Sequence, residues 1–172
     1  MQSADLIAKR DGYRLWCEQA GVRADFPERF NPSWHVAMVD KGAKLISTAR
    51  LFAGILAARC HDEASLRQLK VADRKWCMSI ALTQPLKACC GEQIGEGDIE
   101  TRGLAELSCR LEAGFPGMWS RLRLLLPEET AARLDSLMPD ARSSGGEQAA
   151  SEARAQRCWL FCQGRVTTTI EC

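Results

Sequence analysis

Residues 43–60, AKLISTARLFAGILAARC, decide the fold. Their apolar side chains fall at positions i, i+1, i+4, i+7, i+8 and i+11, a spacing that forms one broad face of an α-helix. These side chains are Leu45, Ile46, Ala49, Phe52, Ala53 and Leu56. Leu51 and Ile55 widen the face. Because a helix that is apolar around so much of its circumference has to be buried, we predict that 43–60 is the central helix of a bundle.

Helical patterns continue on both sides of this stretch. Amphipathic spacing predicts helices over 4–20, 63–83, 99–113, 116–126 and 148–163, and shorter ones after Asn31-Pro32 and after Pro127. Asp62 and Asp98 stand at the positions of N-caps, and Pro85 ends the helix that begins at 63. In that helix the side chains predicted to face inward are Leu66, Leu69, Trp76, Ile80 and Leu82.

The sequence therefore predicts an all-α fold, a compact irregular bundle of about six to eight helices with a flexible segment and a C-terminal helix. Residues 1–139 form the predicted helical core domain. Residues 140–152 lack apolar periodicity and are predicted to be a flexible linker. Residues 153–172 form the predicted C-terminal helix and tail, in which Gly164 ends the helix and 166–170 is extended because of its β propensity.

Size and charge exclude several classes of protein. The chain has 172 residues, the size of one domain, and its net charge is +1. It lacks the basic excess typical of proteins that bind nucleic acid or anionic membranes. No stretch approaches the roughly 20 apolar residues that span a bilayer, and the N-terminal residues do not resemble a signal peptide. We expect a cytoplasmic protein without membrane insertion.

The chain contains nine cysteines, an odd and large number. Several lie in helical patterns beside Trp, Leu or Ala, so we predict that most are reduced and buried as small apolar side chains. A structural metal site is the alternative, with candidate ligands Cys60, His61, Cys77 and Cys89, or the pair Cys158 and Cys162 one helical turn apart. The Cys-x2-Cys spacing typical of zinc sites does not occur, so we expect neither metal nor cofactor.

No arrangement of residues indicates catalysis. The two histidines, His35 and His61, show no pattern that links them to a nucleophile and a carboxylate, and we predict that they are solvated or cap helices. Most of the five tryptophans are expected in the core, with one or two as anchors at an interface. This combination favours an adaptor or scaffold over an enzyme.

Three parts of the chain resemble one protein family. They are FNPSW at 30–34, then ARLFAGILAAR at 49–59 followed by an acidic turn and LKVADRKW at 69–76, and finally FPGMWSRLRLLLP at 115–127. In this order and spacing they are similar to the SctK family, the K-type accessory proteins of bacterial type III secretion systems. The resemblance covers roughly residues 26–138. Asn31 stands where other members often have His, and the chain after residue 140 has no counterpart in the family.

The resemblance implies a non-enzymatic cytoplasmic adaptor of the sorting platform, peripheral to the inner-membrane face of the secretion apparatus. Such an adaptor binds the cytoplasmic domain of the D-type inner-membrane ring protein and the Q-type pod protein, and holds the two at a fixed geometry. It needs no cofactor and binds no nucleic acid. We expect partner contacts at Trp34, in the element that enters the first long helical region, and at Arg121 and Arg123 on the late helix.

The residues alone leave two alternative functions. A type III secretion chaperone or regulator is usually a small acidic α/β dimer, which the net charge of +1 and the shortage of strand patterns disfavour. A cysteine-rich metal or redox protein is the second alternative, which metal analysis and thiol titration distinguish from an adaptor.

Overall fold

The computed structural model describes residues 2–24, 42–89, 98–114, 118–137 and 148–170. Within these ranges the chain forms α-helices and one short 3-10 helix, and no strand, which confirms the all-α prediction. The helices are α1 (Gln2–Gln19), α2 (Gly42–Arg59), α3 (Glu63–Arg67), α4 (Val71–Thr83), α5 (Ile99–Gly114), α6 (Met118–Leu122), the 3-10 helix (Arg123–Leu125), α7 (Glu128–Leu137) and α8 (Gln148–Ile170). None of these helices is long and apolar enough to cross a membrane.

Helix α2 lies at the centre of the bundle, as its apolar pattern predicts. Every residue from Leu51 to Ala57 is buried, and α4, α5 and α8 all pack against this helix. The side chains of Phe52, Ile55 and Leu56 have no exposed surface. Burial of each such large side chain contributes about 1.5–3 kcal/mol relative to an exposed position, so α2 contributes much of the stability of the bundle.

Helices α2 and α5 approach each other so closely that their backbones are in contact. A Cβ atom built on Gly103 of α5 would lie 1.9 Å from the carbonyl oxygen of Ala49 on α2. Only glycine avoids this overlap, so Gly103 sets the distance between the two helices. Gly54 has a similar role on another side of α2, where a Cβ atom would lie 2.7 Å from the Sγ of Cys77 and from a Leu69 methyl group.

The C-terminal helix α8 closes the core from a third side. The ring of Trp159 is fully buried and meets the ring of Phe52 edge to face, with centroids 5.5 Å apart. Cys158 and Cys162 lie on the same buried face. Outside this face, Arg165 pairs with Asp73 on α4 at 3.2 Å.

The predicted end of α8 is wrong, because the helix continues through Gly164 to Ile170. Val166 is buried in the core, and the hydroxyls of Thr167 and Thr168 donate to carbonyls one turn back in the helix. Burial and these hydrogen bonds outweigh the β propensity of the segment. The helix begins at Gln148, where the helical pattern over 148–163 starts, so it takes up the last residues of the range predicted as linker; residues 140–147 lie outside the described part of the chain.

The predicted single helix over 63–83 is also wrong, because it is interrupted between α3 and α4. Gln68 explains the break: its carbonyl accepts a hydrogen bond from Arg50 of α2, and its side-chain Oε1 accepts one from the Ile99 amide at 3.0 Å. These contacts hold Gln68 against two other helices. Leu82, predicted to face inward, is 84% exposed.

The predicted N-caps Asp62 and Asp98 are confirmed. Asp62 accepts hydrogen bonds from the amide and hydroxyl of Ser65, at 3.0 and 2.6 Å, and Asp98 accepts the same pair from Thr101, both at 2.7 Å. The Ser65 hydroxyl is the main cause of the lowered pKa of Asp62. Burial acts against ionisation of Asp98, but the hydrogen bonds from Thr101 and Arg133 outweigh it and lower the pKa of that carboxyl as well.

The C-terminal ends of helices α1 and α2 have the same backbone geometry. The second residue after each helix has a positive φ, 64° at Gly21 and 56° at His61. The next amide donates back to the carbonyl five residues earlier, from Val22 to Cys17 and from Asp62 to Ala57, both at 2.9 Å. This is a Schellman cap. Gly21 therefore ends α1, close to the predicted end at residue 20, and His61 is both exposed and part of a helix cap, in agreement with the prediction that it is solvated or caps a helix.

One ion pair is buried inside the bundle. Glu106 and Arg110, one turn apart on α5, are paired at 3.2 Å with both side chains buried. The carboxylate of Glu106 also accepts from the Cys89 amide at 3.1 and 2.8 Å, and Arg110 donates to the Lys87 carbonyl at 2.6 Å. These bonds fasten the segment after α4 to α5, and they supply part of the hydrogen bonding that two buried charges require.

Replacement of Gly103 by Ala is predicted to destabilise the bundle by more than about 2 kcal/mol, because α2 and α5 must separate to admit the methyl group. Gly164→Ala is the control, since nothing lies within 4 Å of a Cβ at that helical position. It should stabilise the protein by about 0.5–1 kcal/mol, the difference in helix propensity. Urea unfolding followed by circular dichroism measures both, and equal stability of the two variants would contradict the close contact.

Candidate functional site

The structure describes two of the three predicted partner residues, and their side chains have different environments. Arg121 lies on α6 and Arg123 begins the 3-10 helix that follows it. The third, Trp34, lies outside the described residues. The site is therefore built from the two arginines and from what surrounds them.

Arg121 connects the N-terminal helix to the rest of the molecule. Its Nε and Nη2 donate to the hydroxyl of Tyr13 on α1 at 3.2 and 2.8 Å, and Nη2 also donates to the carbonyl of Arg23. Burial raises the pKa of Tyr13 even though the Arg121 hydrogen bond acts in the opposite direction, so the hydroxyl is neutral at physiological pH. The guanidinium thus supports α1 and the turn after it through three hydrogen bonds.

Arg123 is half exposed and lies in a different environment. Its Nη2 pairs with Asp135 of α7 at 3.2 Å, and the other oxygen of that carboxylate accepts from the indole of Trp119 at 2.7 Å. The ion pair holds the guanidinium at the surface. An exposed pair of this kind contributes little to stability, which leaves the arginine available for contacts with a partner.

Two leucines stand beside Arg123 on the same short helix. Leu124 is 49% exposed and Leu125 is 40% exposed, whereas Leu122 and Leu126 on either side are buried. The buried pair anchors the segment and the exposed pair faces outward. We call Arg123, Leu124 and Leu125 the Arg123 surface.

Other helices also expose large apolar side chains. Ile7, Leu15 and Trp16 are exposed on α1, Val71, Met78 and Leu82 on α4, and Leu160 and Phe161 on α8. Sequence reasoning missed the α4 group, although its signal was present. Leu82 follows the inward-facing Ile80 by two positions, about 200° around a helix, so the two cannot share a face.

The sequence predicts most tryptophans in the core, and of the four that the structure describes one is fully buried there. Trp159 is in the core, and Trp76 and Trp119 pack against it from partly buried positions. Trp16 is exposed and stacks on Tyr13, with ring centroids 6.1 Å apart. Trp16 is therefore the described tryptophan best placed to contact a partner.

Most of the described cysteines are buried, as predicted: Cys17, Cys77, Cys109, Cys158 and Cys162 are buried, Cys89 is partly buried and Cys60 is exposed. Burial raises the pKa of Cys77 to about 12 and that of Cys158 to about 11, and it raises the pKa of Cys162 well above its ordinary value. Across the described ranges, no three His, Cys, Asp or Glu side chains are grouped so as to hold a metal ion. In particular, Cys60 and His61 are exposed while Cys77 is buried in the core.

No protein-family model, curated protein or solved structure matches the chain. A function for this protein is therefore inferred from its sequence, its fold and its exposed apolar side chains.

Loss of the Tyr13 hydroxyl in Tyr13→Phe is predicted to loosen α1 selectively, because Arg121 loses two of its hydrogen bonds to that helix. Hydrogen exchange read by mass spectrometry should speed up in 2–24 by about tenfold, the effect of about 1.4 kcal/mol. Amides of α2 and α5 should not change. Faster exchange throughout the molecule, or none in α1, would show that the contact does not hold this helix.

Alkylation of the native protein at pH 8 is predicted to modify Cys60 more than about a hundredfold faster than Cys77, Cys158 or Cys162, because thiolate formation and access are both suppressed by burial. A pulse of iodoacetamide followed by peptide mass spectrometry measures the rates. In urea, without reductant, all nine thiols should react. Comparable native rates at the four sites would contradict the burial of the core cysteines.

Proposed function

We propose that this protein is a non-enzymatic adaptor of a bacterial type III secretion system. It bridges the cytoplasmic domain of the D-type inner-membrane ring protein and the Q-type pod protein of the sorting platform, on the cytoplasmic side of the inner membrane. The observation that carries the proposal is the Arg123 surface, where the segment similar to the SctK family exposes two leucines beside an arginine.

The segments of the resemblance have different places in the fold. Residues 49–59 belong to α2 and fill the core, and 69–76 lead into α4, which packs on it. The part of 115–127 that is described includes α6 and the 3-10 helix, and it presents the Arg123 surface. The first two segments support a fold shared with the SctK family, while the third supports a partner contact shared with that family.

The chemistry of the Arg123 surface suits protein recognition. Burial of the remaining exposed area of Leu124 and Leu125 contributes about 1 kcal/mol each on binding. Arginine is enriched at the centre of interfaces because its planar guanidinium binds carboxylates and stacks on rings. Arg121 supports the contact indirectly by holding α6 to α1, and Trp34 remains a proposed contact residue.

The test measures binding of the purified chain to each of the two partners by biolayer interferometry. We expect the chain to bind both the pod protein and the cytoplasmic domain of the ring protein. The double variant Leu124→Ser, Leu125→Ser should weaken binding to one partner by about 30-fold, the effect of about 2 kcal/mol. Binding to the second partner should be unchanged.

The matched control is Leu160→Ser, which removes an equally exposed leucine from α8. It should bind both partners as tightly as the unmodified chain. Failure to bind either partner, when both are shown to be folded, would overturn the adaptor proposal. Equal affinity of the double variant and the control would instead exclude the Arg123 surface as the contact.

A further inference from the structure

A groove lies between the C-terminal ends of α2 and α4. Its volume is about 170 Å³, and its lining residues are Ala58, Arg59, His61, Met78, Ala81 and Leu82. Ala81 is buried, whereas Arg59, His61, Met78 and Leu82 are exposed. We call this feature the α2–α4 groove.

The size of the groove fits one large apolar side chain. A dry cavity of about 150 Å³ accommodates a benzene-sized group. Pockets for cofactors and drug-sized ligands are larger, about 300–1,000 Å³. The α2–α4 groove is therefore suited to an anchoring side chain of another protein rather than to a whole small molecule.

The outward face of α4 extends the groove with the spacing of a helix–helix contact. Val71, Lys75, Met78 and Leu82 are all exposed and follow one another at intervals of four, three and four residues. Alternation of three and four is the pattern by which one helix packs along another. The stripe covers three turns of α4, so its complement is a helix of about three turns.

The charges around the groove are positive. Arg59 at its edge and Lys75 in the stripe are exposed, and neither forms an ion pair with any residue that the structure describes. The carboxylates that directly follow His61 in the chain are each paired with an arginine. Asp62 pairs with Arg102 at 2.7 Å, and Glu63 pairs with Arg67 at 2.9 Å.

We propose that the α2–α4 groove and the outward stripe of α4 dock an acidic amphipathic helix of a partner protein. One large apolar side chain of that helix fills the groove between Met78 and Leu82, and its carboxylates face Arg59 and Lys75. The proposal rests on the adaptor function and deepens it, since it gives a second face of the molecule to a partner of defined chemistry. A second copy of this chain fits less well, because a two-fold contact at this face brings the same cations together.

The test begins with selection of peptides from a displayed library of random 18-residue helices against the full chain. We expect the bound peptides to carry Leu, Met or Phe at intervals of three and four, with Asp and Glu beside them. Binding of the tightest peptide is then measured by fluorescence anisotropy. Leu82→Ser should weaken it at least about tenfold, and the variant Arg59→Glu, Lys75→Glu should weaken it by a similar factor.

The controls match each variant in chemistry and exposure. Leu124→Ser removes a leucine from the Arg123 surface, and Arg14→Glu reverses an exposed arginine of α1; both should change peptide affinity by less than about twofold. Because Leu82 and Leu124 are both exposed, neither substitution removes core packing, and circular dichroism verifies the fold. Affinity that falls equally in Leu82→Ser and Leu124→Ser would overturn the proposal.

Other outcomes also overturn the proposal and identify the occupant. Failure to select peptides, or selection of peptides without acidic residues, excludes an acidic helix. Self-association in sedimentation that Leu82→Ser abolishes assigns the face to a second copy, and binding to phosphatidylglycerol vesicles that this substitution abolishes assigns it to a membrane. No secretion protein is used, so this test can fail while the adaptor test succeeds, and the reverse.

Discussion

The contact between the backbones of α2 and α5 is the constraint on which the rest of the bundle depends. Gly103 brings α5 onto the carbonyl of Ala49, and Gly54 lets Cys77 and Leu69 pack directly on α2. With two neighbours this close, α2 is surrounded along most of its length. The short helices and the connections are then placed by what they contact on this central unit, as Gln68 shows between Arg50 and Ile99.

The buried pair of Glu106 and Arg110 provides a polar complement to this apolar packing. Two charges taken out of water are costly, and the Cys89 amide and the Lys87 carbonyl recover part of that cost. In return, the pair fixes the chain that leaves α4 against α5. Hydrogen bonds fix the position of this segment along α5, because apolar contacts alone do not select one position.

The sequence alone predicted the central helix α2 and the caps at Asp62 and Asp98, because these depend on local spacing and local hydrogen bonds. Prediction from the sequence failed where contacts between residues far apart in the chain determine the local structure. Gln68 lies at a break between two helices, where it is hydrogen-bonded to residues of two other helices. Val166 is buried in a helix although the residues around it have β propensity. Of the candidate site, the two arginines were predicted, and the helical spacing from Ile80 could have shown that Leu82 is exposed, but the exposure of Leu124 and Leu125 required the packed structure.

The burial of Trp159 against Phe52 imposes an order on biosynthesis. The two rings are separated by 107 positions, 159 minus 52, and α8 is the last described helix to be made. At about 5–20 residues per second, translation leaves the Trp159-facing side of α2 uncovered for about 5–20 s. During that time this apolar side of α2 is exposed and prone to aggregation, and the closed bundle exists only after the whole of α8 has left the ribosome.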